Sequence, residues 1–284
     1  MNTDPNHPST PAIFTDIPYT ETPQRTLRLD LRMPQSDRRP PLVMYIPVGG
    51  MRFCAKQNAP WWLTEYGFAM AAIDVRVSPE VIAPLISHDC KAAVRWLRAH
   101  ADQYGYSPDA IGVWGHSAGG NLAALLGTSG GVAELEGDGG NAGVSSRVQA
   151  VCDECGAPHD FMAAIQPEFR SQIAPVAENL RMYLGGPVEE RLELARLVSP
   201  RTHVSAKCPP MLLLHGDTDN VVPVAETIQF HQALQAAGVD ATRRVLPGVG
   251  HGWDAALSRN DIVAFFTRTM RRRSPSTQAT PRRW

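Results

Sequence analysis

Val113-Trp114-Gly115-His116-Ser117-Ala118-Gly119-Gly120 decides how this chain is read. An apolar β-type run, Ala110-Ile111-Gly112-Val113-Trp114, feeds directly into Gly-x-Ser-x-Gly, and a helix-forming run, Asn121-Leu122-Ala123-Ala124-Leu125-Leu126, follows. Strand, tight turn and helix is the setting in which this pattern holds a serine oxygen clear of a sheet, at the positive end of a helix. The turn is so sharp that side chains at Gly115 and Gly119 would collide with neighbouring backbone. Alone the motif is modest. With 23 glycines in the chain, chance supplies one in roughly a tenth of such sequences, where it marks only a glycine-rich turn. The partners that a reactive serine needs must decide.

A serine hydroxyl is a weak nucleophile at neutral pH, and it needs a base and a group to orient that base. Behind a strand–turn–helix serine the chain order is serine, acid, histidine. The acid expected is Asp219, in His215-Gly216-Asp217-Thr218-Asp219-Asn220-Val221-Val222-Pro223, with Asp217 its rival in the same loop. Either carboxylate also fits a turn residue bonding its own backbone. The base expected is His251, in Pro247-Gly248-Val249-Gly250-His251-Gly252-Trp253, where glycines on both sides let the backbone carry an imidazole over the serine. His116 adjoins the serine and is expected to point away from it, and His215, ending a strand, reads as structural. The oxyanion donors expected are the amides of Ala118, Gly49 and Gly50, the last two at the end of the Leu42–Ile46 run.

Around these residues the chain reads as alternating strands and helices. Ile13–Tyr19 and Thr26–Leu31 form an antiparallel edge, the second with Leu27, Leu29 and Leu31 on one face. Leu42–Ile46, Phe68–Val75, Val148–Cys152 and Met211–Gly216 are apolar runs of the kind buried on both faces, and Thr242–Leu246 is the last strand. Helices are expected over His88–Gln103, Val224–Ala237 and within Trp253–Met270, and Ser129–Ser146 reads as a mobile loop. The pattern predicts one α/β domain over residues 13–270, a mostly parallel twisted sheet with helices on both faces. Residues 157–206 are read as a partial cap, 1–12 as a disordered lead-in and 271–284 as a basic, unfolded tail.

Composition narrows the partners. The 284 residues are 43% hydrophobic and 19% charged with a net charge of −1, so no global field favours nucleic acid or acidic lipid. No apolar run approaches the ~20 residues that span a bilayer, and no basic stretch followed by an apolar one marks a signal peptide. Five cysteines, an odd number, fit reduced thiols in a cytoplasmic protein. Cys152-Asp153-Glu154-Cys155 is a lone Cys-x-x-Cys; without a second pair it reads as buried thiols rather than a zinc site, and no metal is expected. Asp74 and Arg76 are expected to pair beneath the site.

Taken together, the chain resembles the α/β-hydrolase serine esterases of the hormone-sensitive-lipase, acetyl-esterase and feruloyl-esterase-like group. The resemblance rests on Ile73–Glu80, Asp89–Leu97, Gly115–Gly120, Ser199-Pro200, the His215–Pro223 stretch and Gly250-His251-Gly252. It implies the α/β-hydrolase fold, Ser117 as nucleophile, Asp219 as acid, His251 as base and no cofactor. One departure stands out: the family usually has His-Gly-Gly-Gly where this chain has Pro47-Val48-Gly49-Gly50. The two later glycines survive, while Val48 adds bulk and points to a specialised acyl or amide substrate. Met51, Phe53, Trp61 and Trp62 follow and are candidates for the substrate pocket, with core packing the alternative for the tryptophans.

The reading is a carboxylic-ester hydrolase acting through an acyl-enzyme on small to medium acyl or aromatic esters. Its partner is a small-molecule ester, with no nucleic acid and no membrane. The alternatives are an amide-cleaving relative of the arylformamidase or peptidase kind, a small-molecule receptor on the same fold, and a binder using the arginine tail.

Overall fold

The apolar runs of the sequence become the middle of one twisted sheet. A computed structural model describes residues 11–156, 158–166 and 174–271. In chain order the strands are β1 (Ala12–Glu21), β2 (Thr26–Met33), β3 (Leu42–Ile46), β4 (Val48–Gly49), β5 (Phe53–Cys54), β6 (Ala69–Ile73), β7 (Ile111–His116), β8 (Ala150–Glu154), β9 (Met211–Gly216) and β10 (Ala241–Leu246). The main sheet has the order β1-β2-β6-β3-β7-β8-β9-β10, and β4 and β5 form a separate hairpin. β1 and β2 pair antiparallel, as do β2 and β6. Every pair from β6 across to β10 is parallel.

This is the α/β-hydrolase arrangement. After β3 the chain places β6 on one side of it and later β7 on the other. Such a reversal opens a crevice at the carboxyl ends of the strands, where ligands of open α/β sheets bind.

Successive residues of each central strand feed opposite cores, as a period of two requires. Met44, Val113, Val151 and Leu213 pack on one face with Leu97, Leu122 and Phe230. Those three come from helices α1 (Leu85–Ala99), α2 (Ala118–Thr128) and, after the short α3 (Ala177–Leu184), α4 (Val224–Ala236). Val43, Trp114, Cys152 and Leu214 pack on the other face with Ile262 and Phe266 of α5 (Arg259–Met270).

The expected mobile loop at 129–146 is tied down instead. α1 carries a buried polar stripe beside its apolar one. Lys91 Nζ donates to Ser129 O at 2.8 Å and to Glu136 Oε1 at 2.7 Å, and Arg95 reaches Glu136 O at 2.9 Å and Gly139 O at 2.5 Å. The expected Asp74–Arg76 pair is also corrected. Asp74 pairs with Arg25, while Arg76 makes a two-pronged bond to Asp89, Nε–Oδ2 3.0 Å and Nη2–Oδ1 2.6 Å. Ala12 opens β1 rather than closing a lead-in, and Arg271 packs its guanidinium over the Phe68 ring at 4.6 Å. The rest of the lead-in and tail, residues 1–10 and 272–284, and parts of the expected cap (157 and 167–173) lie outside the described residues. Among the described residues no helix is long and apolar enough to cross a membrane.

Candidate active site

Ser117 stands between β7 and α2 with φ at +55°, a left-handed conformation that costs a non-glycine residue of order 1 kcal/mol or more. The neighbouring backbone enforces it. A Cβ on Gly115 would overlap the backbone of Gly119, and one on Gly119 would overlap the Ile46 carbonyl at the end of β3. Ser117 N donates to Glu154 O at 2.8 Å, fastening the turn to the end of β8.

Three side chains meet over this turn. His251 Nε2 lies 2.8 Å from Ser117 Oγ, and His251 Nδ1 lies 2.8 Å from Asp219 Oδ2. The Asp219 Oδ1 oxygen accepts the Val221 and Val222 amides, each at 2.9 Å. Burial opposes ionisation of Asp219, but hydrogen bonds from His215, His251 and those two amides outweigh it and hold the carboxyl well below the usual carboxylate range. An ionised Asp219 fixes the proton of His251 on Nδ1 and leaves Nε2 free to accept from the serine. Asp217, the rival acid, turns to the next loop and accepts Gly248 N at 2.6 Å.

His116 does point away from Ser117, but it is not idle. Its Nε2 lies 2.9 Å from the His251 carbonyl, where only a ring N–H can bond, and its ring stands edge-on to Trp253. Burial, then the nearby His251, pushes its pKa down, so it supports the His251 backbone as a neutral ring. Cys155 Sγ sits 3.2 Å from the same His116 nitrogen. Cys155, Asp219 and His251 each offer an atom within 4.8 Å of the others, a spacing open to a metal. Yet both His251 nitrogens are engaged by Ser117 and Asp219, and burial pushes the Cys155 thiol far above its ordinary pKa. This donor set is arranged for hydrogen bonds.

The glycine-rich loop after β3 comes close to the serine turn. A Cβ on Gly119 would lie 3.5 Å from Val48 N. Gly50 has φ at +55° and Met51 φ at +59°, so the loop reverses tightly, and Arg52 N returns to Gly49 O at 3.0 Å. Ala118 opens α2, where first-turn amides have no partner within the helix. The loop, the serine and the first turn of α2 thus share one rim of the sheet.

The four pocket candidates divide. Phe53 is 65% exposed, and its ring occupies the space that a Gly49 side chain would need. Met51 turns into the core at 3% exposure. Trp61 and Trp62, half-buried, pack their large apolar rings beside the second core, the alternative weighed for them. Trp62 meets Trp114 edge-on at 5.4 Å and lies 4.9 Å from the Arg259 guanidinium, while Arg32 covers Trp61 at 4.3 Å.

Sequence reasoning missed Asn179 and Glu154, while His215, read as structural, is buried with Nε2 3.1 Å from Asp219 Oδ2. α3 brings the Asn179 amide beside Gly50, where an added Cβ would lie 2.8 Å from Nδ2. No motif marks it, and only the placement of α3 near the oxyanion loop brings it there.

The chain is similar to known proteins in sequence and fold. The BD-FAE family profile matches residues 29–234. Esterase LipC of Mycobacterium tuberculosis (strain ATCC 25618 / H37Rv) is 30% identical over 241 residues, 83% of this chain and 59% of its own length. The chain thus spans about three-fifths of the length of the curated relatives at the head of the comparison. Among solved structures, a truncated form of a carbohydrate esterase from gut microbiota superposes with a TM-score of 0.76 at 27% identity, over 92% of this chain and 97% of that one. Thermogutta terrifontis esterase 2, phosphonylated by sarin, superposes with a TM-score of 0.75 at 25% identity, over 88% and 91%. The family match covers well over half of the residues, and the chain belongs to the BD-FAE family, on an α/β-hydrolase fold.

Proposed function

We propose that the chain is a serine carboxylic-ester hydrolase acting on esters of small to medium acyl or aromatic acids. The observation that carries the reading is the unbroken line from Ser117 Oγ through His251 to Asp219, with 2.8 Å at each step. His251 Nε2 takes the serine proton as Ser117 attacks the ester carbonyl, and Asp219 steadies the imidazolium. The amides of Ala118, Gly49 and Gly50 hold the oxyanion. His251 returns the proton to the leaving alcohol, and water frees the acid by the same steps reversed. The relatives support the class: two are described as esterases, and the sarin adduct reports a phosphonylated esterase of this fold. All five cysteines are free thiols, which fits a reducing, cytoplasmic setting.

The test compares wild type with Ser117→Ala on p-nitrophenyl acetate, alongside labelling by a fluorophosphonate. The variant is expected to lose activity by a factor of roughly a thousand or more and to stay unlabelled. Equal rates and equal labelling would sink the assignment.

A further inference from the structure

Glu154 ends β8, directly behind the serine turn, and is 7% exposed. Burying a carboxylate is costly unless it is paired. Among the described residues it has no cationic partner; its bonds are to neutral donors. Trp114 Nε1 donates to Oε2 at 2.8 Å, and Ser258 Oγ donates to Oε1 at 3.1 Å. These donors come from the two elements that the site must hold in register. Trp114 lies on β7, three residues before Ser117. Ser258 stands just before α5 and in turn accepts from Trp253 Nε1 at 3.1 Å, two residues beyond His251. The Glu154 backbone carbonyl receives Ser117 N, and the next residue, Cys155, touches His116 and lies 3.5 Å from the His251 carbonyl.

Resting on the esterase reading above, we propose that the Glu154 carboxylate is a positioning residue that fastens the loop carrying His251 to the strand carrying Ser117. An apolar residue of the same volume would fill the space at lower cost, but it would leave the Trp114 and Ser258 donors without their shared acceptor. The ionised form binds both donors with charge-assisted hydrogen bonds, which are about twice as strong as neutral ones. Protonation therefore slackens the link, and the imidazole loses its fixed approach to Ser117. The titratable groups that bear on Glu154 are Asp153, Cys152 and Cys155 on or next to its own strand and Tyr45 on β3, with His116 opposite it in register on β7. Burial raises Glu154 to about 7, so the link changes strength in the neutral range.

The experiment compares the full chain with Glu154→Gln and Ser258→Ala, reading kcat and KM on p-nitrophenyl acetate over pH 5–9. It also reads hydrogen exchange of residues 251–258 at pH 8. Glu154→Gln is expected to lower kcat roughly ten-fold with KM within about two-fold, and to remove one ionisation from the acid limb. Exchange in the loop is expected to quicken in both variants. If Glu154→Gln does not fold, Ser258→Ala carries the test, with a several-fold fall in kcat. Wild-type kcat and unchanged loop exchange in the folded variants would overturn the proposal. The exchange readout keeps it apart from the esterase reading: an inactive wild type whose loop still loosens on substitution would reject the esterase and keep the link.

Discussion

His215 Nε2 lies 3.1 Å from Asp219 Oδ2, the oxygen that also meets His251 Nδ1. The same His215 nitrogen is 3.1 Å from the Val222 carbonyl, and Nδ1 is 2.7 Å from Thr227 Oγ1. Two acceptors at Nε2 put a proton there. His215 thus donates to the proposed catalytic acid from behind, which keeps that carboxylate ionised and aimed.

Replacing His215 by alanine therefore tests how far Asp219 depends on support from behind. The expected result is a fall in kcat of roughly ten-fold, the usual effect of removing a partner of a functional ligand, with KM nearly unchanged. Stability against pH gives a second readout. The folded Asp219 value lies below its ordinary 3.8, so its contribution is complete above about pH 4 and lost as pH falls further. In His215→Ala the folded value is depressed less, so the loss still starts near pH 4 but is smaller and is complete at a higher pH. Thermal melts between pH 2 and 5 that superpose, after a constant offset, on those of the wild type would count against the role.

Glu154 carries the opposite sign. Its folded value is raised from 4.5 to about 7, so the folded chain keeps a proton that the unfolded chain has released. The stability from this group is greatest below pH 4.5 and declines as pH rises to 7, by up to about 3 kcal/mol. Glu154→Gln has no such proton. The melting temperature of the variant is expected to gain on the wild type steadily from pH 5 to 8; a constant gap would show that Glu154 does not titrate there.

Much of this site was legible in the sequence because its chemistry is local. Gly115, Ser117 and Gly119 announce a turn that steric overlap alone explains, and the loops holding Asp219 and His251 each follow a recognisable strand. The apolar runs named the central strands, since a strand buried on both faces leaves an unmistakable pattern. The missed features are long-range. Nothing near Asp74 or Arg76 reveals that they pair with Arg25 and Asp89, and the partner of Lys91 on α1, Glu136, comes from a loop 45 residues away. Trp61 and Trp62 carried equal signals for pocket and core, and the Trp62 contact with Trp114, edge-on at 5.4 Å, joins residues far apart in the chain.

Gly50 and Asn179 give a test of the oxyanion loop. Gly50→Ala meets two penalties, a left-handed φ of +55° and a Cβ 2.8 Å from Asn179 Nδ2. The first costs about 1 kcal/mol or more whatever the space; the second disappears if the neighbour is shortened. Gly50→Ala is expected to lower kcat more than ten-fold, and Gly50→Ala with Asn179→Ala to recover part of it. A double variant no better than the single one would show that backbone conformation alone governs the loop.

The Arg76–Asp89 pair reaches the same loop from the other side. Its side chains are 8% and 3% exposed, and Asp89 Oδ2 also accepts the Arg76 backbone N–H at 3.0 Å. The pair therefore fixes the course of the chain after β6, and two residues on, Ser78 N donates to Met51 O at 2.8 Å, next to Gly50. Asp89→Ala leaves a buried guanidinium without its partner, and the expected loss of stability in urea is about 3–5 kcal/mol. Replacing both residues with methionine removes the stranded charge and is expected to cost less than the single change. Because the loop loses its brace in either case, kcat should fall in the double variant even where stability is largely restored. Full activity in a stable double variant would separate the ion pair from the oxyanion loop and confine its role to folding.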